Sequence, residues 1–137
     1  YKSHIYKYLN KINFTGKIII DYPYNKEWNE PYSGVHFKSK YINKFERLSN
    51  NHILASASCH TIAEIEQCNK KLFDFILVSP VIHAHDNKKP LGWEKFNMLS
   101  KESFVPTYAL GGVSSGGSDL LSCICNHGFG LAGISTI

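Results

Sequence analysis

Residues 54–81 decide the fold of this chain and read LASASCHTIAEIEQCNKKLFDFILVSPV. An uninterrupted run of small or apolar residues stands at each end, and the segment between them has helical spacing that places Ile62, Ile65 and Leu72 near one face. Continuous apolar strands are typical of parallel sheets, because such sheets are buried on both faces. The stretch therefore predicts a strand-helix-strand unit with His60 at the carboxyl edge of the sheet, where α/β folds bind ligands.

The same rules of periodicity and chain breaking predict the other elements. Strands are predicted at residues 17–21, 34–37, 53–58, 75–79, 106–110 and 130–134, and helices at residues 1–12, 41–48, 92–99 and 119–126. A loop is predicted at residues 22–33. The third of these helices directs Trp93, Phe96 and Leu99 inward, and Ser118 is the predicted N-cap of the last helix.

The composition is that of one domain spanning residues 1–137. Of these residues 43% are hydrophobic and 19% are charged, which suits one sizeable core. The net charge of +4 is modest and the lysines are scattered, so nucleic acid is not an expected partner. The sequence has no apolar run of about 18 residues and no signal-peptide pattern, so no membrane partner is expected either.

The cysteines indicate the cellular compartment of the protein, and the first residue indicates whether the domain is truncated. Four cysteines form neither a C-x-x-C pair nor a spaced framework, so we expect reduced thiols and a cytoplasmic location. The chain starts at Tyr1 rather than at Met, which suggests a domain truncated at its N-terminus.

Two glycine-rich loops follow the last two predicted strands. Gly111 and Gly112 end one strand, and Gly133 and Ser135 end the next. Glycine lets the backbone approach an anion closely, and paired loops of this kind bind phosphate in (β/α)₈ barrels. The sequence therefore predicts a phosphate site, with tight turns and no ligand as the alternative.

His60 is the candidate for proton transfer, since a histidine beyond a strand end can act as acid or base near neutral pH. The alternative is an imidazole that caps the following helix. Cys59 is not expected to pair with His60, because neighbouring residues on an extended chain point in opposite directions. His83, His85 and Asp86 could ligate a metal, but a solvated loop is the favoured interpretation.

Several motifs resemble one known family in their order and spacing. They are Gly-Val-His-Phe at 34–37, Ala-Ser-Cys-His-Thr at 57–61, Phe-Asp-Phe-Ile-Leu-Val-Ser-Pro-Val at 73–81, Leu-Gly-Trp-Glu-Lys-Phe at 91–96, Tyr-Ala-Leu-Gly-Gly-Val at 108–113 and Gly-Leu-Ala-Gly-Ile at 130–134. From Ile18 onward the chain resembles the thiamine phosphate synthase and TenI-like thiazole tautomerase family. The resemblance is closest to the version fused behind a Nudix (MutT-type) hydrolase.

This resemblance implies an α/β fold, a parallel (β/α) barrel of TIM type. The chain corresponds to units three to eight of eight, so the barrel is incomplete. Either the first two strands lie upstream, which we favour, or a partner chain closes the barrel as a homodimer.

The resemblance also implies roles for particular residues. It assigns phosphate binding to Gly111, Gly112, Gly133 and Ser135, and proton transfer to His60. It places four further residues in the substrate pocket, namely Ser58, Asp21, His36 and Ser79.

The chain departs from the synthase pattern where magnesium and pyrophosphate would bind. Lys38-Ser39-Lys40 replaces the Gly-Gln-Glu-Asp segment of the synthases, and Asp21 stands without the Asn that precedes it there. Residues 83–86 replace a Thr-Lys-Thr-Lys loop, and the Gln-Arg-Lys cluster of the second strand is absent. Mg²⁺ is the one cofactor that the resemblance implies, but most of the ligands expected for it are missing.

These observations lead to two functional hypotheses. The first is a phosphate-binding barrel of thiamine metabolism with degenerate synthase machinery, which takes a phosphorylated thiazole or pyrimidine and acts as a transferase or a thiazole tautomerase. The second is a non-catalytic domain for ligand sensing or scaffolding, attached to a Nudix hydrolase.

Overall fold

The computed structural model describes residues 2–24, 31–49, 53–83 and 89–133, without the side chains of residues 2–5. The strands are β1 (Ile19–Tyr22), β2 (Gly34–Phe37), β3 (Leu54–Cys59), β4 (Phe75–Val78), β5 (Thr107–Leu110) and β6 (Gly130–Ala132). The helices are α1 (Lys2–Lys11), α2 (Ile62–Lys71), α3 (Gly92–Lys101) and α4 (Gly117–Cys125), and a 3₁₀ helix spans Ser39–Lys44.

The six strands form one sheet in the order β1-β2-β3-β4-β5-β6, and every neighbouring pair is parallel. Right-handed connections between sequential parallel strands place the connecting helices on one face, as in a (β/α) barrel. The predicted parallel α/β fold is confirmed. No helix in the described ranges has the length and apolar character needed to cross a membrane.

Side chains alternate between the two faces of each strand. On β3, Ala57 and Cys59 face the helices, and Cys59 Sγ lies 3.6 Å from Cys68 Sγ on α2. We call this helix-covered face the outer face, and the opposite one, which carries Ser56 and Ser58, the inner face. The core lies mainly between the outer face and the helices, where its largest fully buried apolar side chains are Phe96, Ile42, Ile65, Ile76, Val78 and Val81.

Helix α2 starts with a capping box. Thr61 Oγ1 accepts a hydrogen bond from Glu64 N at 3.3 Å, and the Glu64 carboxylate accepts one from Thr61 N at 3.1 Å. Of the three apolar residues predicted near one face, Ile65 is buried, but Ile62 is 42% exposed and Leu72 is 64% exposed. The expectation that Leu72 shares the buried face is wrong, because the helix ends at Lys71 and Leu72 adopts φ 60°, which turns its side chain away.

The prediction of a helix at residues 41–48 is wrong beyond Lys44. A 3₁₀ helix ends at Lys44, and Phe45 is extended with φ −82° and ψ 135°. The extended chain lets the Phe45 ring pack on Phe73, with ring centroids 4.4 Å apart. Aromatic packing at this position therefore overrides the weak helical periodicity.

The start of α4 differs from the sequence prediction as well. The N-cap is Gly116, not Ser118, and no side chain caps the helix. Instead the carboxylate of Asp119 accepts hydrogen bonds from Ser114 N at 2.8 Å and Ser114 Oγ at 3.0 Å. This contact ties the loop after β5 to the first turn of α4, so the helix starts two residues earlier than expected.

Candidate functional site

A cavity of about 420 Å³ opens on the inner face of the sheet. Its volume lies within the range of about 300–1,000 Å³ that small-molecule sites occupy. Polar groups line it on the β1–β3 side and apolar groups on the β4–β5 side. The lining residues are Ile19, Asp21, His36, Lys38, Ser56, Ser58, Phe75, Leu77, Leu110, Ala132 and Gly133.

His36 is fixed in the wall of this cavity by two serine hydroxyls. Its Nδ1 lies 2.9 Å from Ser56 Oγ, and its Nε2 lies 2.8 Å from Ser58 Oγ. The strand register explains the cluster, because His36 on β2 pairs with Ser56 on β3 and with Asp21 on β1. Ser58 lies two residues beyond Ser56 on the same strand and so faces the same side.

The surroundings of His36 favour its neutral form. Burial lowers the pKa of His36 below its ordinary value of 6.5, and the positive charge of Lys38 lowers it further. The negative charge of Asp21 opposes this shift. A neutral imidazole has one donor nitrogen and one acceptor nitrogen, so one of the two serines accepts a hydrogen bond from the ring and the other donates one.

His60 lies at the carboxyl edge, where its ring is oriented by a backbone carbonyl. The distance from His60 Nδ1 to the Ser79 carbonyl oxygen is 2.6 Å. A carbonyl oxygen can only accept, so Nδ1 carries the proton and the neutral ring keeps its lone pair on Nε2. Among the described residues nothing is hydrogen-bonded to Nε2, which leaves this nitrogen able to accept a proton.

The turn that carries His60 is held through its backbone. His60 N donates to Glu64 Oε2 at 2.6 Å, and Thr61 provides the side-chain cap of α2. The alternative that the His60 imidazole caps the helix is therefore wrong. Ser79, which the resemblance assigns to the substrate pocket, contributes the carbonyl that orients the His60 ring.

The Gly111-Gly112 corner is packed tightly against the loop after β4. Both glycines have positive φ, 101° and 73°. A Cβ on Gly112 would lie 2.4 Å from His83 Cβ and 2.6 Å from His83 N, so only glycine fits. Gly111 O also accepts hydrogen bonds from Ile82 N at 2.9 Å and His83 N at 3.1 Å. The tight-turn alternative thus has a direct structural reason, and phosphate binding at this corner stays a prediction.

The second predicted phosphate loop is only partly described. Gly133 lines the cavity, next to Ala132 and close to the end of β5 at Leu110. Ser135 lies outside the described residues. Of the predicted site residues, the cavity therefore brings together Gly133, Ser58, Asp21 and His36. The other described ones do not line it, namely His60, Ser79, Gly111 and Gly112.

Cys59 and His60 have different partners, as expected if they form no dyad: Cys59 Sγ contacts Cys68 Sγ, whereas His60 Nδ1 contacts the Ser79 carbonyl. Cys59 is fully buried on the outer face, where its contact with Cys68 and burial raise the pKa of its thiol. A thiol held in its neutral form is a poor nucleophile. None of the four cysteines, all of which lie in the described ranges, forms a disulfide.

The described residues of the cavity do not fit a magnesium ion. Mg²⁺ needs several oxygen ligands in octahedral geometry, whereas Asp21 is the one carboxylate in the lining and the ammonium group of Lys38 shares the cavity with it. In the described ranges no three His, Cys, Asp or Glu side chains form a metal-binding group. His85 and Asp86 of the candidate metal loop lie outside those ranges.

Two polar residues of the cavity were not assigned to the site from the sequence. Ser56 bonds His36, and Lys38 contributes the positive charge of the lining. The available signal for Ser56 was its position two residues before Ser58 on a strand, which puts both hydroxyls on one face.

The chain belongs to the thiamine monophosphate synthase (TMP-TENI) family, whose model matches residues 18–137. A relative from Aquifex aeolicus that carries the name of a thiamine-phosphate synthase is 30% identical over 88 residues, or 63% of this chain and 46% of that protein. The thiamine-phosphate synthase of Prochlorococcus marinus is 34% identical over 77 residues, or 55% of this chain and 21% of that protein. The matched segments thus span less than half of either relative.

Solved structures support the fold. The thiamine phosphate pyrophosphorylase of Pyrococcus furiosus superposes with a TM-score of 0.66 at 13% identity, over 93% of this chain and 60% of that chain. FabK of Thermotoga maritima gives the same TM-score and identity over 94% of this chain and 45% of that chain. At this identity the likeness concerns the fold alone. The family match places the domain in thiamine metabolism.

Proposed function

We propose that this domain binds a phosphorylated thiazole of thiamine metabolism and moves a proton on it, with His60 as base and then acid. One observation carries the proposal, namely the 2.6 Å contact between His60 Nδ1 and the Ser79 carbonyl. This contact fixes the tautomer whose free nitrogen is Nε2, at the carboxyl edge where barrels bind their ligands.

The chemistry is an isomerisation. His60 Nε2 takes a proton from one carbon of the thiazole system, and the resulting imidazolium returns it to a second atom of the same ligand. One C–H bond breaks and one new bond to hydrogen forms, so no oxidant, reductant or leaving group is needed. The Ser79 carbonyl stabilises the imidazolium, because its hydrogen bond with Nδ1 strengthens when the ring becomes positive.

The phosphate of the ligand is proposed to lie at the corner between β5 and β6. Gly133 lines the cavity there, and Gly111-Gly112 ends the neighbouring strand. The exposed Lys38, which follows β2, adds positive charge at the other end of the same cavity. At one end the backbone at Gly133 could approach a bound phosphate without hindrance from a Cβ, and at the other the charge of Lys38 would attract it.

Condensation with loss of pyrophosphate is not the proposed reaction. Such a reaction develops charge on the leaving group and relies on a metal ion to stabilise it. Among the described lining residues Asp21 is the one carboxylate, and Lys38 lines the same cavity. This lining supports anion binding by a protein cation better than anion binding through Mg²⁺.

The test is interconversion of thiazole phosphate tautomers by the full-length protein, followed as solvent deuterium incorporation by proton NMR in D₂O. The His60→Gln variant should lose about 10²–10⁴-fold in rate, the usual contribution of a positioned acid-base group. His127→Gln is the matched control, because His127 is exposed, bonds Asn97 Oδ1 at 2.9 Å and precedes β6 at the amino edge.

The possible results separate the hypotheses. Thiazole phosphate binding without deuterium incorporation in the unmodified protein would favour the ligand-sensing or scaffolding function. Robust Mg²⁺-dependent condensation of the pyrimidine and thiazole precursors would overturn the proposal and make the protein a synthase.

A further inference from the structure

The His36 ring bridges two hydroxyls that differ in their access to the cavity. Ser56 is 1% exposed, whereas Ser58 is half-buried and faces the cavity. Each hydroxyl is close enough to its ring nitrogen for a hydrogen bond, at 2.9 and 2.8 Å. The direction of each bond depends on which ring nitrogen carries the proton.

The two tautomers of the ring are not equivalent in this environment. If Nδ1 carried the proton it would donate to Ser56 Oγ, and the Ser56 hydroxyl proton would need another acceptor. In the described part of the chain Ser56 Oγ has His36 Nδ1 as its one partner. A buried hydroxyl without an acceptor is unfavourable, so this tautomer is disfavoured.

The other tautomer leaves no buried hydroxyl proton without an acceptor. Ser56 donates its proton to His36 Nδ1, and His36 Nε2 donates to Ser58 Oγ. Ser58 then accepts from the ring, and its own hydroxyl proton is free to turn toward the cavity. The three side chains form a directed chain of hydrogen bonds that starts at the buried serine and ends at the ligand site.

We propose that Ser56 is a positioning residue that acts through His36 to make Ser58 a hydrogen-bond donor toward the cavity. A ligand should therefore present an acceptor atom to Ser58, either a ring nitrogen or a phosphate oxygen, and not an N–H group. The prediction about the acceptor atom rests on the proposed function, because it assumes that the ligand occupies the cavity. The hydrogen-bond direction itself is a property of the free protein.

The direction is tested on the free full-length protein by ¹⁵N NMR of histidine ring nitrogens at neutral pH. We expect His36 to show the neutral tautomer with the proton on Nε2. Ser56→Ala should give a mixture of tautomers, because Nδ1 loses its donor, whereas Ser58→Ala should leave the tautomer unchanged. Ser56→Thr retains the hydroxyl and should therefore keep the single tautomer with the proton on Nε2.

Two outcomes would overturn the inference. One is a proton on His36 Nδ1 in the unmodified protein, and the other is an unchanged tautomer in Ser56→Ala. Neither result depends on thiazole binding or turnover, so a failure here is distinguishable from a failure of the proposed function.

The ligand arm uses two probes, thiazole phosphate and inorganic phosphate, with affinities measured by calorimetry. Ser58→Ala should weaken thiazole phosphate binding about tenfold, the effect expected for one lost hydrogen bond. An equal loss with inorganic phosphate identifies a phosphate oxygen as the acceptor, and no loss with it identifies a ring atom. Unchanged thiazole phosphate affinity in Ser58→Ala would contradict the donor role.

Discussion

The two faces of β3 differ in chemistry although they belong to one six-residue strand. Ala57 and Cys59 on the outer face are fully buried against α2, whereas Ser56 and Ser58 on the inner face bond His36 in the cavity wall. On β3 the outer-face residues Ala55, Ala57 and Cys59 are apolar and at most 2% exposed. Alternation along a strand thus separates the residues that stabilise the sheet from those that line the cavity, and substitutions can test the two roles separately.

The largest effect should come from the outer side. Phe96→Ala removes a fully buried ring of α3 and should lower the free energy of unfolding by about 3–5 kcal/mol. Phe104→Ala is the control, since Phe104 is 87% exposed and its truncation should cost little. Urea denaturation of both variants gives the comparison. Equal costs for the two rings would contradict this assignment of the core.

A smaller loss of stability is expected from a substitution in the loop after β5, at the carboxyl edge of the sheet. Gly112→Ala forces a Cβ to within 2.4 Å of His83 Cβ at a φ of 73°, so we expect a loss of about 1–3 kcal/mol in stability. Gly117→Ala is the matched control, because no atom lies within 4 Å of the added Cβ and the residue is helical. Thermal unfolding should show a lower midpoint for the first variant and an equal or higher one for the second. A stable Gly112→Ala protein would show that the corner is loosely packed.

The smallest effect is a pH dependence that comes from the inner face. The pKa of His36 is lowered in the folded protein, so between that pKa and its ordinary value of 6.5 the unfolded chain binds more protons than the folded one. Stability from this group is therefore present above pH 6.5 and is lost as the pH falls toward the lowered pKa.

Replacement of this histidine isolates its contribution. His36→Gln should show a shallower loss of unfolding free energy below pH 6.5 than the unmodified protein, as measured by urea titrations at several pH values. His127→Gln, in which an exposed imidazole is replaced, serves as the reference variant. Identical pH profiles for His36→Gln and the unmodified protein would contradict the assignment.

Much of the fold is predictable from local sequence. The apolar runs of β3 and β4 predict buried parallel strands, and the spacing of Phe96 and Leu99 predicts the buried face of α3. The wrong predictions concern residues whose conformation is set by tertiary contacts or by an unusual backbone angle. Phe45 leaves the helical conformation to pack on other rings, and Leu72 adopts φ 60° at the end of α2.

The site is less predictable because its parts meet only across strands. Family motifs indicate His60, Ser58 and His36, but nothing local to Ser56 marks it as a partner of an imidazole twenty residues earlier. That contact depends on the register of β2 against β3, which the sequence does not specify by itself.

The capping box of α2 also has an evolutionary consequence for residue 60. The bonds that shape this turn use the backbone N–H groups of residues 60 and 61, the side chain of Thr61 and the carboxylate of Glu64. None of them uses the imidazole. A different side chain at position 60 would therefore occupy the same place at the sheet edge, because the turn keeps all of these bonds when histidine is replaced. New reactivity could arise on this scaffold by a single substitution.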